Sequence, residues 1–431
     1  MNEWMLKSVQ VKNYKNLASE ERFIFNPLNI FIGPNGSGKS NLLAAIKFLA
    51  DAAAGQIDAT RGITTLDDAL NRLGSEYILD RRVAAPAKVQ FIYEFLPVQG
   101  GEPVFLDLEL TIPSTGGRVL IEQESLFQFQ RGPNQPPFYF YRCHNLVPGR
   151  GAISVYRQEG DITTHFMPVD HVPLNELALL VLPRLLESSQ VRPDLTPFYP
   201  MRRKILDSLA DWKFYNANNM DLDAIRRTNP EIGPTDTSLS VSGENLARVV
   251  KNLMDANIDF EDTVQQAMAE ILPWTRRVRA VQAGLSSLAI EWYFEDEMKR
   301  KELFYLRNMS DGSARMLCWA TVFLSPRLPE LLVVEEPEIG VHPAWMKPLA
   351  GWIKSAARKT QVIVSTHSPD LLDHLTSELE NVQVFQEHNE QRHRFYAKPL
   401  EHKFIEDRLK EGWQLGDLYR VGAIEIGGWP W

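Results

Sequence analysis

The sequence contains little cysteine, no long apolar run and no excess of positive charge. Its two cysteines, Cys143 and Cys318, lie far apart and match no metal-ligand spacing. No apolar run approaches the ~18 residues of a membrane-spanning helix, and the opening MNEWMLKSVQ lacks the pattern of a signal peptide. These absences predict a reduced, cytoplasmic protein without a membrane segment.

The composition is that of an ordinary globular protein of two or three lobes. The 431 residues are 44% apolar and 23% charged, and the net charge is −9. The negative balance argues against a protein that binds nucleic acid over its whole surface, but it leaves a local basic groove open. We find no internal repeat and no sustained heptad pattern, so the sequence predicts neither a solenoid nor a coiled coil.

One short segment carries the strongest functional signal. Residues 31–41, FIGPNGSGKSN, contain the G-x-x-x-x-G-K-[ST] pattern of a phosphate-binding loop. The apolar run PLNIFI before it predicts a buried strand, and NLLAAIKFLADAAA after it predicts a helix whose N-terminus faces the phosphates. A glycine-rich surface turn, the alternative interpretation, would not explain this strand and helix. The residues predicted to bind a nucleotide are Gly33, Pro34, Asn35, Gly36, Ser37, Gly38, Lys39, Ser40 and Asn41.

Four side chains predict how ATP and Mg²⁺ would be held and used. In the loop, Lys39 would reach the β- and γ-phosphates, and the Ser40 hydroxyl would contact Mg²⁺. The apolar strand in LLVVEEPEIGVHP ends in two adjacent acids. Glu335 would hold Mg²⁺ directly or through water, and Glu336 would orient and polarise the attacking water. A strand that ends in solvated acids is the alternative, and it suffices for Glu338.

Two further segments fit the same chemistry. In VIVSTHSPDLL, a β-branched strand ends at Thr366 and His367, one helix and one strand after the acidic pair. We therefore expect this strand to neighbour the acidic strand, where His367 could donate a hydrogen bond to the γ-phosphate. In RNMSDGSARML, Ser310 and Gly312 open a helix, and such a helix N-terminus can bind an anion. Ser-Asp-Gly is equally an ordinary helix cap.

The pattern of strands and helices predicts an α/β protein. KVQFIYEF, VFLDLELTI, RVLIEQESLFQF and FYFYRC predict an antiparallel meander, and strand–helix alternation in the last third predicts a parallel sheet. NELALLVLPRLLESS, MRRKILDSLADWKFY and GENLARVVKNLMDA predict helices, and RRTNPEIGPTDTSLSVSG predicts a polar loop. We expect residues 1–100 and 285–431 to form one discontinuous ATPase lobe that includes part of the meander. Residues 101–284 would be an insertion, first β-stranded and then mainly helical, for contact with a partner or DNA.

Taken in this order, the motifs resemble the ATP-binding-cassette (ABC) class of ATPases. Within that class the chain looks like the SMC/RecF/Rad50-like branch, whose ATPase lobe is split by an insertion. It is closer still to the short bacterial "AAA family" predicted ATPases without coiled coils. That likeness is carried by GENLARVVKNL, EEPEIGVHPAWMKPLA, TQVIVSTHSPDLLD and LGDLYRVGAIEIGGWPW.

The resemblance implies a P-loop NTPase fold of the ABC type and a role for each motif. It matches Gly33–Asn41 to Walker A, Glu335 and Glu336 to Walker B, Glu338–His342 to the D-loop, His367 to the switch histidine, and Ser310–Ser313 to the signature motif. In this class the signature contacts the γ-phosphate bound by a second subunit. The resemblance therefore implies an ATP-linked homodimer, or a higher homo-oligomer, that buries two ATP molecules.

Three positions match the family pattern less closely. NYKNL resembles the opening Phe-Arg segment of the branch, so Lys15 would contact phosphate, unless it is an ordinary solvated lysine. The Q-loop glutamine has no good counterpart, because Gln56 is the only glutamine between Asn41 and Val89 and lies too early. Glu335 stands where most members have aspartate.

The function predicted from these residues is an ATP-hydrolysing, dimerising switch that gates DNA binding or an effector partner in bacterial defence or DNA repair. The alternative is a nucleotide-gated scaffold with little turnover that regulates a partner nuclease or toxin. We find no nuclease motif, so any cutting would come from an effector protein encoded nearby. Basic clusters could contact DNA phosphates, or could be solvated helix faces. They are Arg202–Lys204, Arg226–Arg227, Arg276–Arg279 and Lys299–Lys301.

Overall fold

Strands and helices alternate along the part of the chain that the computed structural model describes. That part comprises residues 4–54, 66–114, 117–129, 136–144, 147, 149–155, 165–187, 197–227, 230–233, 235–295, 297–401, 403 and 405–423. The strands are β1 (Trp4–Lys12), β2 (Arg22–Ile24), β3 (Leu28–Ile32), β4 (Ala87–Pro97), β5 (Val104–Ile112), β6 (Leu120–Gln128), β7 (Phe138–His144), β8 (Arg150–Val155), β9 (His165–Asp170), β10 (Lys213–Asn216), β11 (Thr275–Ala283), β12 (Ser287–Glu295), β13 (Lys301–Tyr305), β14 (Leu331–Glu335), β15 (Gln361–Ser365), β16 (Val382–Glu387) and β17 (Phe395–Pro399). The helices are α1 (Lys39–Ala53), α2 (Leu66–Leu73), α3 (Ala178–Glu187), α4 (Phe198–Asp211), α5 (Leu222–Arg227), α6 (Leu246–Ala256), α7 (Ile258–Ile271), α8 (Asp311–Phe323), α9 (Met346–Ala357), α10 (Pro369–Asp373), α11 (Glu406–Lys410) and α12 (Leu415–Arg420).

The chain divides into two compact units. Unit 1 comprises Met1–Asn26, Pro34–Trp212 and Phe385–Lys398. Unit 2 comprises Pro27–Gly33, Lys213–Val384 and Pro399–Trp431. These limits do not coincide with the sequence-based limits at residues 100 and 284, so the division into an ATPase lobe and an insertion stays a prediction about function.

Unit 1 is built on an eight-stranded antiparallel sheet. Its strand order is β2-β1-β4-β5-β6-β7-β8-β9, and its middle is the meander predicted from the sequence. Helix α1 packs on the sheet through aromatic side chains. The Tyr93 hydroxyl donates to the Ala45 carbonyl at 2.8 Å, and the Phe48 and Phe91 ring centroids lie 5.5 Å apart. The helix that follows the phosphate-binding loop is therefore anchored to the sheet.

A buried carboxyl group fixes the start of α3 in unit 1. The Glu124 side chain is 0% exposed. It accepts hydrogen bonds from the Tyr141 hydroxyl at 2.7 Å and from the backbone N–H groups of Ala178 and Leu179 at 2.6 and 2.9 Å. These N–H groups belong to the first turn of the helix and have no partner within it. Glu124 thus caps α3 from the neighbouring sheet.

Unit 2 contains a parallel sheet in the order β10-β14-β15-β3-β16. Strand β15 neighbours the acidic strand β14, as the sequence predicted, and its other neighbour is β3. Ser365 pairs with Glu335 on one side and Phe31 on the other. The carboxyl ends of parallel strands share one edge of a sheet, and ligands bind at that edge. Gly33, Glu336 and Thr366 therefore all begin their loops there.

The sequence-based helix MRRKILDSLADWKFY was wrong at its end. Helix α4 stops at Asp211, and Lys213–Asn216 forms β10, which pairs in parallel with the acidic strand. The physical reason is long-range: Phe214 lies opposite Val333 in the sheet, and the buried Tyr215 hydroxyl donates to the Leu239 carbonyl at 2.9 Å. A four-residue strand after a helix gives no periodic signal of its own.

Unit 2 also contains a three-stranded antiparallel sheet, β11-β12-β13. The sequence did not predict β11, which carries the basic cluster Arg276–Arg279. These arginines pair with acidic side chains; Arg277 contacts Glu261, and Arg279 lies 3.0 Å from Glu291. The predicted polar loop RRTNPEIGPTDTSLSVSG was wrong at its start, because Arg226 and Arg227 end α5. Across the described ranges, no helix combines the length and apolar character that would cross a membrane.

Candidate nucleotide site

The phosphate-binding loop has the backbone that its glycines allow. Gly33, Gly36 and Gly38 have φ values of 144°, 76° and 91°, a region that other residues rarely adopt. Gly38 also has no room for a side chain, because a Cβ atom there would lie 2.5 Å from Cδ2 of Leu17. The loop therefore depends on glycine for conformation at three positions and for space at one of them.

Lys39 lies inside the loop rather than in solvent. Its side chain is 6% exposed, and Nζ donates to the Pro34 carbonyl at 3.0 Å and to Oγ of Ser37 at 3.4 Å. The Ser40 and Asn35 side chains are exposed. The ammonium group is thus held at the centre of the loop, and the Ser40 hydroxyl is open to a ligand.

Asn16, which was not among the predicted site residues, ties this loop to the segment that follows β1 in unit 1. Nδ2 of Asn16 donates to the Gly36 carbonyl at 2.6 Å, and its Oδ1 accepts from Nδ2 of Asn41 at 2.7 Å. The Asn41 carbonyl in turn accepts from the Tyr14 hydroxyl at 3.1 Å. The only sequence feature near Asn16 that suggested a functional role was the resemblance of NYKNL to the opening Phe-Arg segment of the family branch.

Lys15 lies in a cavity of about 380 Å³ beside the first turn of α1. The cavity is lined by Asn41, Tyr77 and Arg81 among others. Lys15 is half-buried, its Nζ lies 5.4 Å from the Tyr14 ring centroid, and burial lowers the pKa of its ammonium group. Lys15 is therefore less exposed than an ordinary solvated lysine. Arg81 and Arg394 also line the cavity, and the sequence indicated neither of these cations.

The acidic pair lies where the sequence predicted, at the end of β14. Glu335 is the last residue of the strand and pairs with Asn216 and Ser365. Glu336 follows with a φ of 49°, which is rare for a residue other than glycine, and its N–H donates to the Ser365 carbonyl at 2.9 Å. Such backbone strain persists where the surroundings impose it, and it concentrates at functional sites.

The Glu336 carboxylate lies between two polar side chains of unit 2. Nδ2 of Asn218 donates to Oε2 at 3.3 Å, and Nε2 of His367 lies 3.9 Å from Oε1. The Glu336 side chain is 33% exposed, so it is open to water on one side. The sequence predicted that the strand before His367 neighbours the strand before Glu336, but it missed Asn218. Its only signal was the Asn-Asn pair that follows the short strand β10.

Glu338 has a structural role in this edge of the sheet. Its Oε1 accepts from the Thr366 hydroxyl at 2.7 Å and from the His367 N–H at 2.9 Å. Burial raises the pKa of the Glu338 carboxyl group above its ordinary value, although both hydrogen bonds oppose the shift. Glu338 therefore braces the loop after β14 against the loop after β15 and fixes the backbone at His367.

The C-terminal helix α12 reaches the same histidine. The Tyr419 hydroxyl lies 3.3 Å from Nδ1 of His367 and donates to the Gly33 carbonyl at 3.4 Å. The helix packs closely on α10, because a Cβ atom at Gly416 would lie 2.0 Å from the Pro369 carbonyl oxygen. Tyr419 joins the start of the phosphate-binding loop to His367, a contact that no local pattern in the sequence predicted.

The signature-like segment begins α8, as predicted. Oγ of Ser310 accepts from the Ser313 N–H at 3.2 Å, so Ser310 caps the helix while its side chain remains exposed. A Cβ atom at Gly312 would lie 3.1 Å from the Trp345 ring and 3.3 Å from the Gly340 carbonyl oxygen. The glycine is therefore required by the close packing of this helix start against the loop after β14.

Each unit carries one oxygen side chain of the kind that Mg²⁺ binds. Ser40 in unit 1 has a hydroxyl and Glu335 in unit 2 has a carboxylate, and Mg²⁺ takes few protein oxygens together with water and phosphate. Over the described positions, no group of three or more His, Cys, Asp and Glu side chains could hold a metal ion by itself. Gln56, the weak candidate for a Q-loop residue, lies outside the described residues.

Sequence comparisons agree with these motifs. A family model described as "AAA domain, putative AbiEii toxin, Type IV TA system" matches residues 191–373, and one described as "AAA ATPase domain" matches residues 5–95. The DNA replication and repair protein RecF of Lactococcus lactis is 50% identical over 46 residues, which is 10% of this chain and 13% of that protein. The ATP/GTP phosphatase of Helicobacter pylori is 47% identical over 45 residues, which is 10% of this chain and 12% of that protein. These matches confirm the resemblance. The resemblance is to the SMC/RecF/Rad50-like branch of the ABC-type ATPases, and neither family model covers half of this chain.

The chain thus matches only about an eighth of the length of these curated relatives. Solved structures, two SMC head domains among them, also match over most of this chain. The SMC head domain from Thermotoga maritima gives a TM-score of 0.43 at 13% identity, covering 92% of this chain and 99% of that one. The second structure is the Smc head domain with an extended coiled coil bound to the C-terminal domain of ScpA, from Pyrococcus furiosus. Its TM-score is 0.49 at 14% sequence identity, and the match covers 95% of this chain and 99% of that one.

Proposed function

We propose that the protein binds ATP and hydrolyses it to ADP and phosphate, and that this reaction closes and reopens a homodimer. The observation that carries the proposal is the setting of Glu336. Its carboxylate follows a buried strand at a φ of 49°, with Asn218 at 3.3 Å on one oxygen and His367 at 3.9 Å on the other. A partly exposed carboxylate held in this way suits the orientation and polarisation of an attacking water.

The other side chains would bind and sense the triphosphate. Lys39 and the backbone N–H groups of residues 33–41 would hold the β- and γ-phosphates, and His367 would donate a hydrogen bond to the γ-phosphate. Lys15, in its cavity beside α1, would contribute a further cation. Ser40 and Glu335 would hold Mg²⁺, which neutralises charge on the phosphates.

Dimerisation would use the start of α8. Ser310 is exposed there, and in the proposed dimer Ser310 and Gly312 would contact the γ-phosphate bound by the other subunit. The cycle would take place in the cytoplasm and gate DNA binding or an effector protein encoded nearby, in bacterial defence or DNA repair. The names of the matched family model and of the RecF relatives support this setting.

Steady-state ATP hydrolysis tests the proposal. We expect Glu336→Gln and Lys39→Ala to lose turnover by a factor of about 100 or more, while Glu380→Gln, an exposed glutamate on the same unit, keeps it. The assay is run without DNA and with single- or double-stranded DNA. Stimulation by DNA would support a DNA-responsive switch, and indifference would favour a protein partner. Turnover that Glu336→Gln does not reduce would refute the proposed role of Glu336.

ATP-dependent dimerisation is the second readout. Glu336→Gln should still bind ATP, so it should accumulate the closed dimer in light scattering after chromatography, whereas Lys39→Ala should not. Slow turnover in the wild type, with ATP-dependent association intact, would favour the nucleotide-gated scaffold instead. Proteins that co-purify with the trapped Glu336→Gln form would then be the candidates for the regulated partner.

A further inference from the structure

Unit 2 contains a cavity beside the segment that leads into α8. Its volume is about 220 Å³. The walls include three arginines, one of which immediately precedes the signature-like segment. We call this space the arginine cavity, and the residues that define it are Arg226, Arg227, Arg307, Tyr305, Ala247 and Ile290.

Arg226 stands at the boundary between this cavity and the signature-like segment. One terminal nitrogen of its guanidinium pairs with Asp311, and the other donates to the Arg307 carbonyl at 3.2 Å. Nε is buried and has no hydrogen-bond partner among the residues that the structure describes. The two terminal nitrogens therefore carry the observed contacts that hold Arg226 beside the start of α8.

Arg307 and Arg227 add positive charge that nearby carboxylates neutralise only weakly. The Arg307 side chain is exposed, and its guanidinium lies 5.4 Å from the Tyr305 ring centroid. Among the residues that the structure describes, no carboxylate pairs with Arg307. Arg227 pairs with Asp223 at 3.3 Å, but both side chains are 74% exposed, and such surface pairs contribute little. The cavity therefore carries a net positive charge.

We propose that the arginine cavity binds the phosphate group of a small organic phosphate. Guanidinium groups present a planar fork of donors that fits phosphate oxygens. The apolar lining of Ala247 and Ile290 suits the organic part of such a ligand, and a concave space of this size is too small for a duplex. From the sequence, Arg226 and Arg227 could contact DNA phosphates or be solvated. The size of the cavity favours a single terminal phosphate over a DNA duplex.

Binding would bear on the signature-like segment through Arg226. A phosphate that draws the guanidinium toward the cavity competes with Asp311, the first residue of α8. Bound ligand would therefore alter how the start of α8 is held. This consequence rests on the proposed function of α8 in the dimer, but binding itself does not.

The test measures binding by calorimetry in a Lys39→Ala background, in which the phosphate-binding loop is impaired. The probes are AMP, adenosine, inorganic pyrophosphate, and a short deoxythymidine oligonucleotide with and without a 5′-phosphate. We expect AMP to bind and adenosine not to bind. Arg307→Ala should weaken AMP binding about tenfold or more, because a charged hydrogen bond contributes roughly 1.5–3 kcal/mol. Arg307→Lys should retain part of the affinity, and Arg358→Ala, an exposed arginine at the end of α9, should retain all of it.

Absence of AMP and pyrophosphate binding, or AMP binding that Arg307→Ala leaves intact, would overturn the proposal. Binding of the 5′-phosphorylated oligonucleotide alone, dependent on Arg307, would overturn the small-molecule ligand and identify a nucleic-acid end instead. Because the background lacks Lys39, a failure of ATP hydrolysis in the wild type would count against the proposed function and leave this test unaffected.

Discussion

Asn218 provides the sharpest test of how Glu336, the proposed catalytic carboxylate, is held. Its Nδ2 donates to Oε2 of Glu336 at 3.3 Å, and both side chains are partly or fully exposed. Asn218→Ala removes this one hydrogen bond, and Asn218→Asp replaces the donor with a second carboxylate of nearly the same shape. Both variants should fold, because Asn218 lies on the surface after β10.

The two substitutions should lower ATP turnover by different factors. A partly exposed hydrogen bond of this length contributes about 0.5–1 kcal/mol, so Asn218→Ala should lower ATP turnover two- to fivefold. In Asn218→Asp, two like charges at the observed separation repel by about 1.3 kcal/mol even at the dielectric constant of water. Added to the lost bond, this predicts a fall of about tenfold or more.

The assay is steady-state ATP hydrolysis at saturating ATP, with the midpoint of thermal unfolding measured for each variant. Asn219→Asp is the matched control, because it adds the same charge at the next exposed position. We expect it to change turnover less than twofold. If Asn218→Asp and Asn219→Asp had the same rate, or if Asn218→Ala were slower than Asn218→Asp, the reasoning from this contact would be refuted.

Three other substitutions test separate contacts. Tyr419→Phe should lower ATP turnover several-fold at unchanged thermal stability, because it removes a hydroxyl 3.3 Å from Nδ1 of His367; an unchanged rate would contradict a positioning role. Glu124→Ala should lower the free energy of unfolding in urea by about 3 kcal/mol or more, because it leaves three buried donors unpaired at roughly 1–3 kcal/mol each. Burial raises the pKa of Glu124, so its contribution to stability is present at acid pH and is lost as the pH rises through the native pKa. The wild type should therefore lose stability relative to Glu124→Gln between acid and neutral pH, and a pH-independent difference would argue otherwise. Gly416→Ala should release α12 to proteolysis, because its Cβ would meet the Pro369 oxygen at 2.0 Å; unchanged protection would disprove the close approach.

The elements around the phosphate-binding loop were predictable because each has a strong local signal. A glycine pattern between an apolar strand and an apolar helix defines the loop. Two acids after four apolar residues define the end of β14. The spacing of one helix and one strand placed His367 on the neighbouring strand, and the sheet order β14-β15-β3 agrees.

The contacts that hold these groups were not predictable, because they join distant parts of the chain. Asn218 contacts Glu336 across 118 positions, and Tyr419 reaches His367 across 52. Strand β10 is recognisable only from its partner, since four residues carry no period of their own. The arginines of β11 appeared as a basic cluster because cross-strand glutamates cannot be paired with them from sequence alone.

Strand β10 also has a consequence for how such chains can diversify. The strand and Asn218 lie within the stretch that the sequence assigned to the insertion, yet they complete the edge of the sheet that carries Glu336. A recombination event or a laboratory chimaera that exchanged residues 101–284 as one block would remove β10 and Asn218 from the edge that carries Glu336. A junction between Trp212 and Lys213, where one compact unit gives way to the other along the chain, would leave that edge whole. We therefore expect functional chimaeras to keep β10 with the parallel sheet.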